Sequence, residues 1–235
     1  LNHFTMIYDL RHRGEEAWDR VRAILPTVRG QNPFCWSFFE AYGAYPAVHD
    51  RHVVEFFPER FPNGRYYGRT LGVDAFSFEE TIEAGDRAYE EMREQASGRR
   101  PISVDLFDRG PGEHEQLLEI VSDILLDRRK VYSANLPNEG AVPSLPSNAV
   151  LELPAVATAR GFRPMSLRDF PETLAALLKK HLARIETTVD AALEGDRDLF
   201  VEAILLDGSV SERAVAEKMA DELIAAHKRY LPQFA

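Results

Sequence analysis

The sequence predicts an α+β protein in which helices pack on a mixed or antiparallel sheet. Short apolar segments rich in strand-forming residues occur at 4–10, 130–136 and 149–156. Apolar residues at helical spacing occur between these segments, and from Pro171 onward the spacing is helical throughout. Strands in the middle of the chain with helices at both ends are typical of the α+β class.

The first elements are predicted from their apolar spacing and from Pro and Gly positions. Residues 4–10 are expected to form a strand, and residues 15–25 a helix with Trp18 and Leu25 on its apolar face. We expect this helix to end at Pro26, because proline lacks the N–H that a helix interior requires. Residues 33–42 are predicted to form a second helix with proline in its first turn, ending before a glycine.

A long central helix is predicted by a capping signal. Ser77 is followed three residues later by Glu80, the capping-box pattern, and apolar residues at helical spacing continue to Gly98. We expect its apolar stripe, from Phe78 to Ala96, to lie in the core. Another helix is predicted after Pro111-Gly112, and 137–148 is expected to be an ordered connection between strands.

The last third of the chain is predicted to be entirely helical. One apolar face extends from Leu174 to Val189, a second segment covers 199–206, and a last helix is expected from Ser211. No internal repeat and no convincing linker divides the sequence. We therefore expect residues 1–235 to form a single domain.

Composition and charge exclude several classes of partner. The net charge is −10 and the pI is near 5.2 without a basic stripe, which argues against nucleic acid or an anionic membrane as a partner. Cys35 is the only cysteine, so a disulfide framework is excluded, and a reducing, cytoplasmic location with a buried structural thiol is expected. No apolar run approaches the ~18 residues of a membrane span. Because the chain begins with Leu1 rather than Met, we expect a processed or truncated product.

Three groups of polar residues are candidates for chemistry. The first is the pair Asn2-His3, and the second is the cluster His49-Asp50-Arg51-His52, with Glu55 one helical turn later. The third is Asn135 with Asn138, on either side of Pro137. Each has a plain alternative: a surface histidine, a charged loop, and a turn in which asparagine satisfies the backbone. We favour the turn role for Asn138 and keep Asn135 as a substrate contact.

Four segments together resemble the C-terminal part of the NAD- and manganese-dependent glycoside hydrolases of family four. They are the Asn2-His3 pair with the residues that follow it, and the segments 50–58 (DRHVVEFFP), 135–143 (NLPNEGAVP) and 151–155 (LELPA). The likeness extends over nearly the whole chain. It implies a fold similar to the C-terminal domain shared by lactate dehydrogenases and these glycosidases.

The resemblance also implies roles for individual residues. His3 corresponds to the manganese ligand of the family, although the cysteine that accompanies it there has no counterpart, since Cys35 lies after the pair. Asp50 is placed as the base that removes the C2 proton, with Tyr45 as a second candidate. Substrate contacts are expected from the remaining polar residues of these segments: Asn2, His49, Arg51, His52 and Asn135. Segment 50–58 is most similar to members that act on unphosphorylated α-glycosides or α-galacturonides.

The implied chemistry is NAD-assisted oxidation, elimination, addition and reduction at a sugar, rather than cleavage by two carboxylates. The glycine-rich dinucleotide fingerprint does not occur in these residues, so we expect the nucleotide domain to lie outside this chain. The isolated chain should then neither bind NAD nor hydrolyse a glycoside. The alternative is a non-catalytic carbohydrate-binding or oligomerisation module. By analogy with the family, a homodimer or homotetramer acting on a small carbohydrate is expected.

Overall fold

A computed structural model describes residues 4–103 and 116–234 of the chain. The described residues form eight α-helices: α1 (Trp18–Val28), α2 (Pro33–Tyr42), α3 (Asp50–Val53), α4 (Phe78–Ala96), α5 (Gln116–Leu125), α6 (Glu172–Glu194), α7 (Arg197–Asp207) and α8 (Arg213–His227). Their strands are β1 (Met6–Ile7), β2 (Arg11–His12), β3 (Glu15–Glu16), β4 (Tyr45–Pro46), β5 (Arg65–Tyr66), β6 (Arg69–Thr70), β7 (Val131–Pro137), β8 (Val150–Thr158) and β9 (Gly161–Pro164). The α+β class is confirmed. In these two ranges no helix is long and apolar enough to cross a membrane.

The sheets are small. β1 pairs with β4, β2 with β3 and β5 with β6, each pair antiparallel, and β7, β8 and β9 are neighbours in that order in a three-stranded sheet. The strand predicted over 4–10 is wrong in length, because only Met6 and Ile7 form strand pairs, with β4. The chain then turns into the β2–β3 hairpin, where Gly14 adopts a φ of 87°. β9 was not predicted from the sequence.

Local signals located several helix ends correctly. α2 begins with Pro33 and ends at Gly43, whose φ of 68° is the left-handed conformation that glycine favours. Ser77 caps α4, since its side-chain oxygen accepts a hydrogen bond from the Glu80 N–H. The predicted stop at Pro26 is wrong, since α1 continues to Val28. Pro26 lies in the last turn of the helix, which continues for only two residues beyond it.

The described residues separate into two compact units. The smaller unit comprises 61–103, 116–132 and 155–163, and the larger unit comprises 4–60, 133–154 and 164–234. In the smaller unit the carboxylate of Asp123 is fully buried and accepts a hydrogen bond from the Tyr132 hydroxyl at 2.5 Å. Arg128 and Lys130 lie 3.1 and 3.3 Å from its two oxygens. The Tyr132 hydrogen bond and these cations hold the pKa of Asp123 below its usual value, which stabilises its charged form.

The apolar stripe of α4 is not buried, so the prediction that it lies in the core is wrong for this chain. Phe78, Ile82 and Tyr89 are 71%, 63% and 68% exposed. The buried residue of the helix is instead the polar Gln95, whose side-chain oxygen accepts the N–H of Ser103 at 3.1 Å. Helical periodicity predicts that one face is apolar, but it does not determine what covers that face.

Apolar clusters stabilise the described part of the larger unit, among them the following three. Trp18, Trp36 and Phe39 pack together where α1 meets α2. The second cluster joins Val142 and Leu145 of the connection after β7 to Leu153 of β8 and Ala175 of α6. The third lies between α7 and α8: Val201, Ile204, Ala216 and Ala220. Tyr45 packs against the first cluster, and the second cluster includes the connection that follows Asn135 and Asn138.

Candidate functional site

The predicted cluster His49-Asp50-Arg51-His52 follows α2 in the larger unit, a few residues after Tyr45, the second candidate base. Tyr45 belongs to β4 and pairs with Ile7 of β1. The last residues of the cluster form the short helix α3, which begins at Asp50. The segment 45–52 is therefore held at one end by a strand pair and at the other by a helical turn.

Asp50 is the buried anchor of this segment. Its side chain is packed inside the larger unit, where only 1% of the residue is exposed. One carboxylate oxygen accepts the backbone N–H of Phe34 and the other accepts the backbone N–H of Cys35, both at 2.8 Å. These N–H groups belong to the first turn of α2, which has no side-chain cap of its own. Asp50 therefore caps α2 from a distant position in the sequence.

Asn32 links Asp50 to His49. Its side-chain oxygen accepts the Asp50 N–H at 3.1 Å, and its side-chain nitrogen lies 3.2 Å from Nδ1 of His49. Sequence reasoning missed Asn32, although its position directly before Pro33 marks a helix start. His49 and Arg51 are exposed and His52 is half-buried, so polar groups on either side of the buried carboxylate reach the surface.

Tyr45 lies beside the thiol of Cys35. Burial, with the neighbouring Cys35 and Asp50, raises the pKa of Tyr45 to about 12. Burial and the adjacent Asp50 also raise the pKa of the Cys35 thiol, which donates a hydrogen bond to the Val48 carbonyl at 3.3 Å. Both groups are therefore neutral near pH 7. The predicted burial of the Cys35 thiol is confirmed.

The contacts that Asp50 and Tyr45 make in this structure are structural. A proton-abstracting base needs an accessible lone pair near the substrate. The Asp50 oxygens already accept backbone hydrogen bonds, and the Tyr45 phenol keeps its proton at neutral pH. The assignment of either residue as a catalytic base stays a prediction.

The other predicted residues do not join this cluster. Asn135 is an exposed residue of β7 and makes none of the cluster's contacts in the described part of the chain. Asn2 and His3 lie outside the described residues. The helix expected after Pro111-Gly112 is described only from Gln116, as α5.

Asn138 has the structural role that was favoured for it. It is fully buried, and its side-chain nitrogen donates to the carbonyls of Val142, Leu145 and Pro146 at 3.0–3.1 Å. Its side-chain oxygen accepts the Val142 N–H at 2.7 Å. One side chain thus closes the turn that follows β7.

The described residues do not form a metal centre. Over 4–103 and 116–234, no group of three or more His, Cys, Asp or Glu side chains is placed to hold a metal ion. The predicted ligand His3 is not among them. The donor set that structural metal sites require is therefore not supplied by this part of the chain.

Comparison with known proteins identifies the family. Residues 1–210 match the model of the family 4 glycosyl hydrolase C-terminal domain. An alpha-galacturonidase of Bacillus subtilis is 28% identical, over 95% of this chain and 52% of its own length. An alpha-galactosidase of Rhizobium meliloti is 27% identical, over the whole of this chain and 50% of its own length.

Solved structures show the same fold. A 6-phospho-alpha-glucosidase from gut microorganisms, solved with NAD and Mn²⁺, superposes with a TM-score of 0.74 at 18% identity, over 99% of this chain and 55% of its own. A 6-phospho-beta-glucosidase from Thermotoga maritima, solved with NAD and glucose-6-phosphate, superposes with a TM-score of 0.69 at 16% identity, over 98% and 53%. The fold and the sequence thus define a domain of the glycosidase class. The chain belongs to glycosyl hydrolase family 4 as a C-terminal domain, and it spans about half the length of these relatives.

Proposed function

We propose that this chain is the C-terminal half of a glycoside hydrolase that cleaves O-glycosides with the help of NAD and a divalent metal. The observation that carries the proposal is the extent of the match: almost the whole chain aligns with about half of each glycosidase relative. The structural neighbour solved with NAD and Mn²⁺ supports both cofactors at the level of the family. Likeness to the C-terminal domain of lactate dehydrogenases is part of the proposal.

The roles proposed for single residues follow the family resemblance. His3 is the proposed metal ligand, and Asp50 or Tyr45 is the proposed base. The proposed substrate contacts are Asn2, His49, Arg51, His52 and Asn135. The described residues do not offer a metal-binding set of three or more His, Cys, Asp or Glu side chains.

The geometry of the cluster supports a rigid substrate-facing segment. Asp50 ties the segment to the first turn of α2 through two hydrogen bonds of 2.8 Å. His49 and Arg51 flank this anchor and reach the surface. A fixed backbone limits the freedom of these side chains, which is what orientation of a sugar requires. An exposed guanidinium also has the planar geometry that a uronate carboxylate or a phosphate would need.

Activity of the 235-residue chain is compared with that of a longer protein that includes a nucleotide-binding half. A panel of 4-nitrophenyl α-glycosides and α-galacturonides is tested with NAD⁺ and Mn²⁺, and NAD binding is measured by fluorescence titration. We expect turnover only by the longer protein, and only with both additions. Turnover by the 235-residue chain alone would contradict the proposal. Sugar binding by the longer protein without turnover would assign a non-catalytic carbohydrate-binding module instead.

The role of Asp50 is tested in the longer protein with Asp50→Asn. A base role predicts that kcat falls at least a hundredfold while sugar binding persists, since general-base catalysis contributes about 10²–10⁴-fold. A purely structural role predicts a moderate loss that follows the loss of folding stability. His227→Gln, an exposed change on α8, serves as the matched control and should leave both quantities unchanged.

We also propose a homo-oligomer, located in the cytoplasm. The exposed apolar side chains of α4 support the assembly, because monomeric proteins seldom leave large apolar patches uncovered. The single buried thiol supports a reducing compartment. Light scattering measures the oligomeric state. We expect a dimer or tetramer, and we expect Ile82→Glu to weaken that association. A monomer at all protein concentrations would contradict this part of the proposal.

A further inference from the structure

A cavity of about 450 Å³ lies inside the larger unit. Its walls come from the segment around β1, from β8 and from α6, and they include Met6, Leu151, Leu153, Leu178 and Leu182. This volume is within the range of small-molecule sites, which are typically ~300–1,000 Å³ and mostly apolar. The cavity is thus large enough for a molecule with an apolar body.

One buried polar side chain on the wall has no hydrogen-bond partner among the described residues. His181 of α6 is 7% exposed, and no described residue makes a hydrogen bond to its ring. Its neighbours are aromatic: the ring centroids of Phe4, Phe56 and Phe57 lie 4.7, 5.6 and 6.0 Å from the imidazole. Buried polar side chains nearly always have a hydrogen-bond partner. Among the described residues, every fully buried side-chain nitrogen or oxygen has a hydrogen-bond partner. The ring nitrogens of His181, which have none, must therefore border the open space of the cavity.

The imidazole is neutral at physiological pH. Burial, with the adjacent Arg184 and Lys180, lowers the pKa of His181 to about 4. A neutral imidazole has one N–H donor and one nitrogen acceptor. It is therefore suited to an uncharged oxygen, which can accept from it or donate to it.

The charged residues of the wall already have partners. Arg184 lies 2.5 Å from the Asp207 carboxylate, and the Glu152 carboxylate accepts from the Thr5 hydroxyl at 3.3 Å. Asp9 lies 3.2 Å from Arg11. Because an isolated charge is costly to bury, a phosphate or carboxylate ligand would need a charged partner on the wall. It could gain one only by displacing one of these existing partners. The wall therefore favours an uncharged ligand.

We propose that this cavity binds an uncharged molecule with an apolar body and a single hydroxyl or ether oxygen, which hydrogen-bonds to the imidazole of His181. Two sources supply that chemistry: a free aryl or alkyl alcohol, and the aglycone of a glycoside. The aglycone source rests on the proposed function, whereas binding of the free alcohol does not. A failure of glycoside hydrolysis would therefore leave the cavity proposal standing.

The test is a titration of the 235-residue chain with 4-methylphenol and with toluene, followed by two-dimensional NMR of methyl and amide groups. We expect saturable binding of both, with shifts confined to cavity residues such as Met6, Leu178 and Leu182. The phenol should bind about tenfold more tightly than toluene, because only the phenol bonds to the imidazole. A 4-methylphenyl glycoside that shifts the same signals identifies the aglycone source, and binding of the free phenol alone identifies the alcohol.

Two variants separate the hydrogen bond from the apolar walls. His181→Leu should abolish the tenfold preference while toluene still binds, and thermal unfolding confirms that this variant folds. His227→Leu, at an exposed position on α8, should retain the preference. If His181→Leu does not fold, wild-type selectivity between the two probes decides the matter.

Several results would overturn the proposal. They are the absence of saturable binding to the wild type, shifts outside the cavity, equal affinity for the two probes, and a preference that survives His181→Leu. A longer protein that no longer binds the phenol would show that polypeptide covers the cavity, which also overturns it.

Discussion

Replacement of Asp50 tests the central claim about the candidate site, that a buried carboxylate holds the predicted segment on α2. Asp50→Ala removes two hydrogen bonds of 2.8 Å and leaves the N–H groups of Phe34 and Cys35 buried without an acceptor. Hydrogen bonds to charged groups contribute about 1.5–3 kcal/mol each. We therefore expect the free energy of unfolding to fall by about 3–5 kcal/mol. Asp50→Asn keeps one acceptor oxygen but directs an NH₂ donor at the other backbone N–H, so it should cost at least half as much.

The chain offers a matched control in Asp196, which caps α7. Its side chain accepts the N–H groups of Asp198 and Leu199 at 2.8 and 3.0 Å, but it is only partly buried. Asp196→Ala should cost about 1 kcal/mol, the usual value for a helix cap that water can replace. The two substitutions remove the same chemistry, so their difference measures the contribution of burial.

The assay is equilibrium unfolding in urea, monitored by the fluorescence of Trp18 and Trp36, which are both buried. The midpoint and slope of each transition give the free energy of unfolding. A loss for Asp50→Ala no larger than that for Asp196→Ala would refute the reasoning. A change in slope would instead indicate that the two-state treatment fails.

Three further predictions concern single residues of the larger unit. Asn138→Ala should lower the free energy of unfolding by roughly 3 kcal/mol, about 1 kcal/mol for each of the two side-chain N–H groups and the one side-chain oxygen that make hydrogen bonds. A loss under about 1 kcal/mol in urea unfolding would contradict the turn-closing role. The pKa of His181 is about 4 in the folded protein, so the contribution of this residue to the free energy of unfolding is complete above pH ~6.5 and falls by up to about 3 kcal/mol as the pH falls through 4. His181→Gln should flatten this part of the plot of Tm against pH. Gly195→Ala should destabilise the protein far more than Gly43→Ala, because both glycines have a φ of 68° but only at Gly195 would a Cβ overlap the Gln233 carbonyl oxygen. Equal shifts in Tm for the two variants would be the contrary result.

Local chemistry made several elements predictable from the sequence. Ser77 and Glu80 formed the expected cap, and Pro33 and Gly43 are located at the two ends of α2. The role of Asn138 was also predictable, because asparagine in a turn rich in glycine and proline commonly bonds to the backbone. Each of these signals depends on atoms within a few residues of one another.

Burial and long-range partners were not predictable in the same way. The sequence placed the stripe of α4 in the core, yet Phe78 and Tyr89 are exposed. It identified Asp50 as a candidate base, but not that its carboxylate caps a helix that begins seventeen positions earlier, at Pro33. It did not indicate that the imidazole of His181 lines a cavity.

The sequence by itself determined the α+β class, most of the helices and, through four short segments, the family. Those properties depend on periodicity, capping and residue identity, which are local. The tertiary structure decided which polar groups are buried, what they bond to, and where open space remains beside them. The contacts that decide this, such as those of Asp50 with α2 and of His181 with Phe4 and Phe57, join residues far apart in the chain. The sequence pattern within one segment does not indicate which distant residues contact that segment after folding.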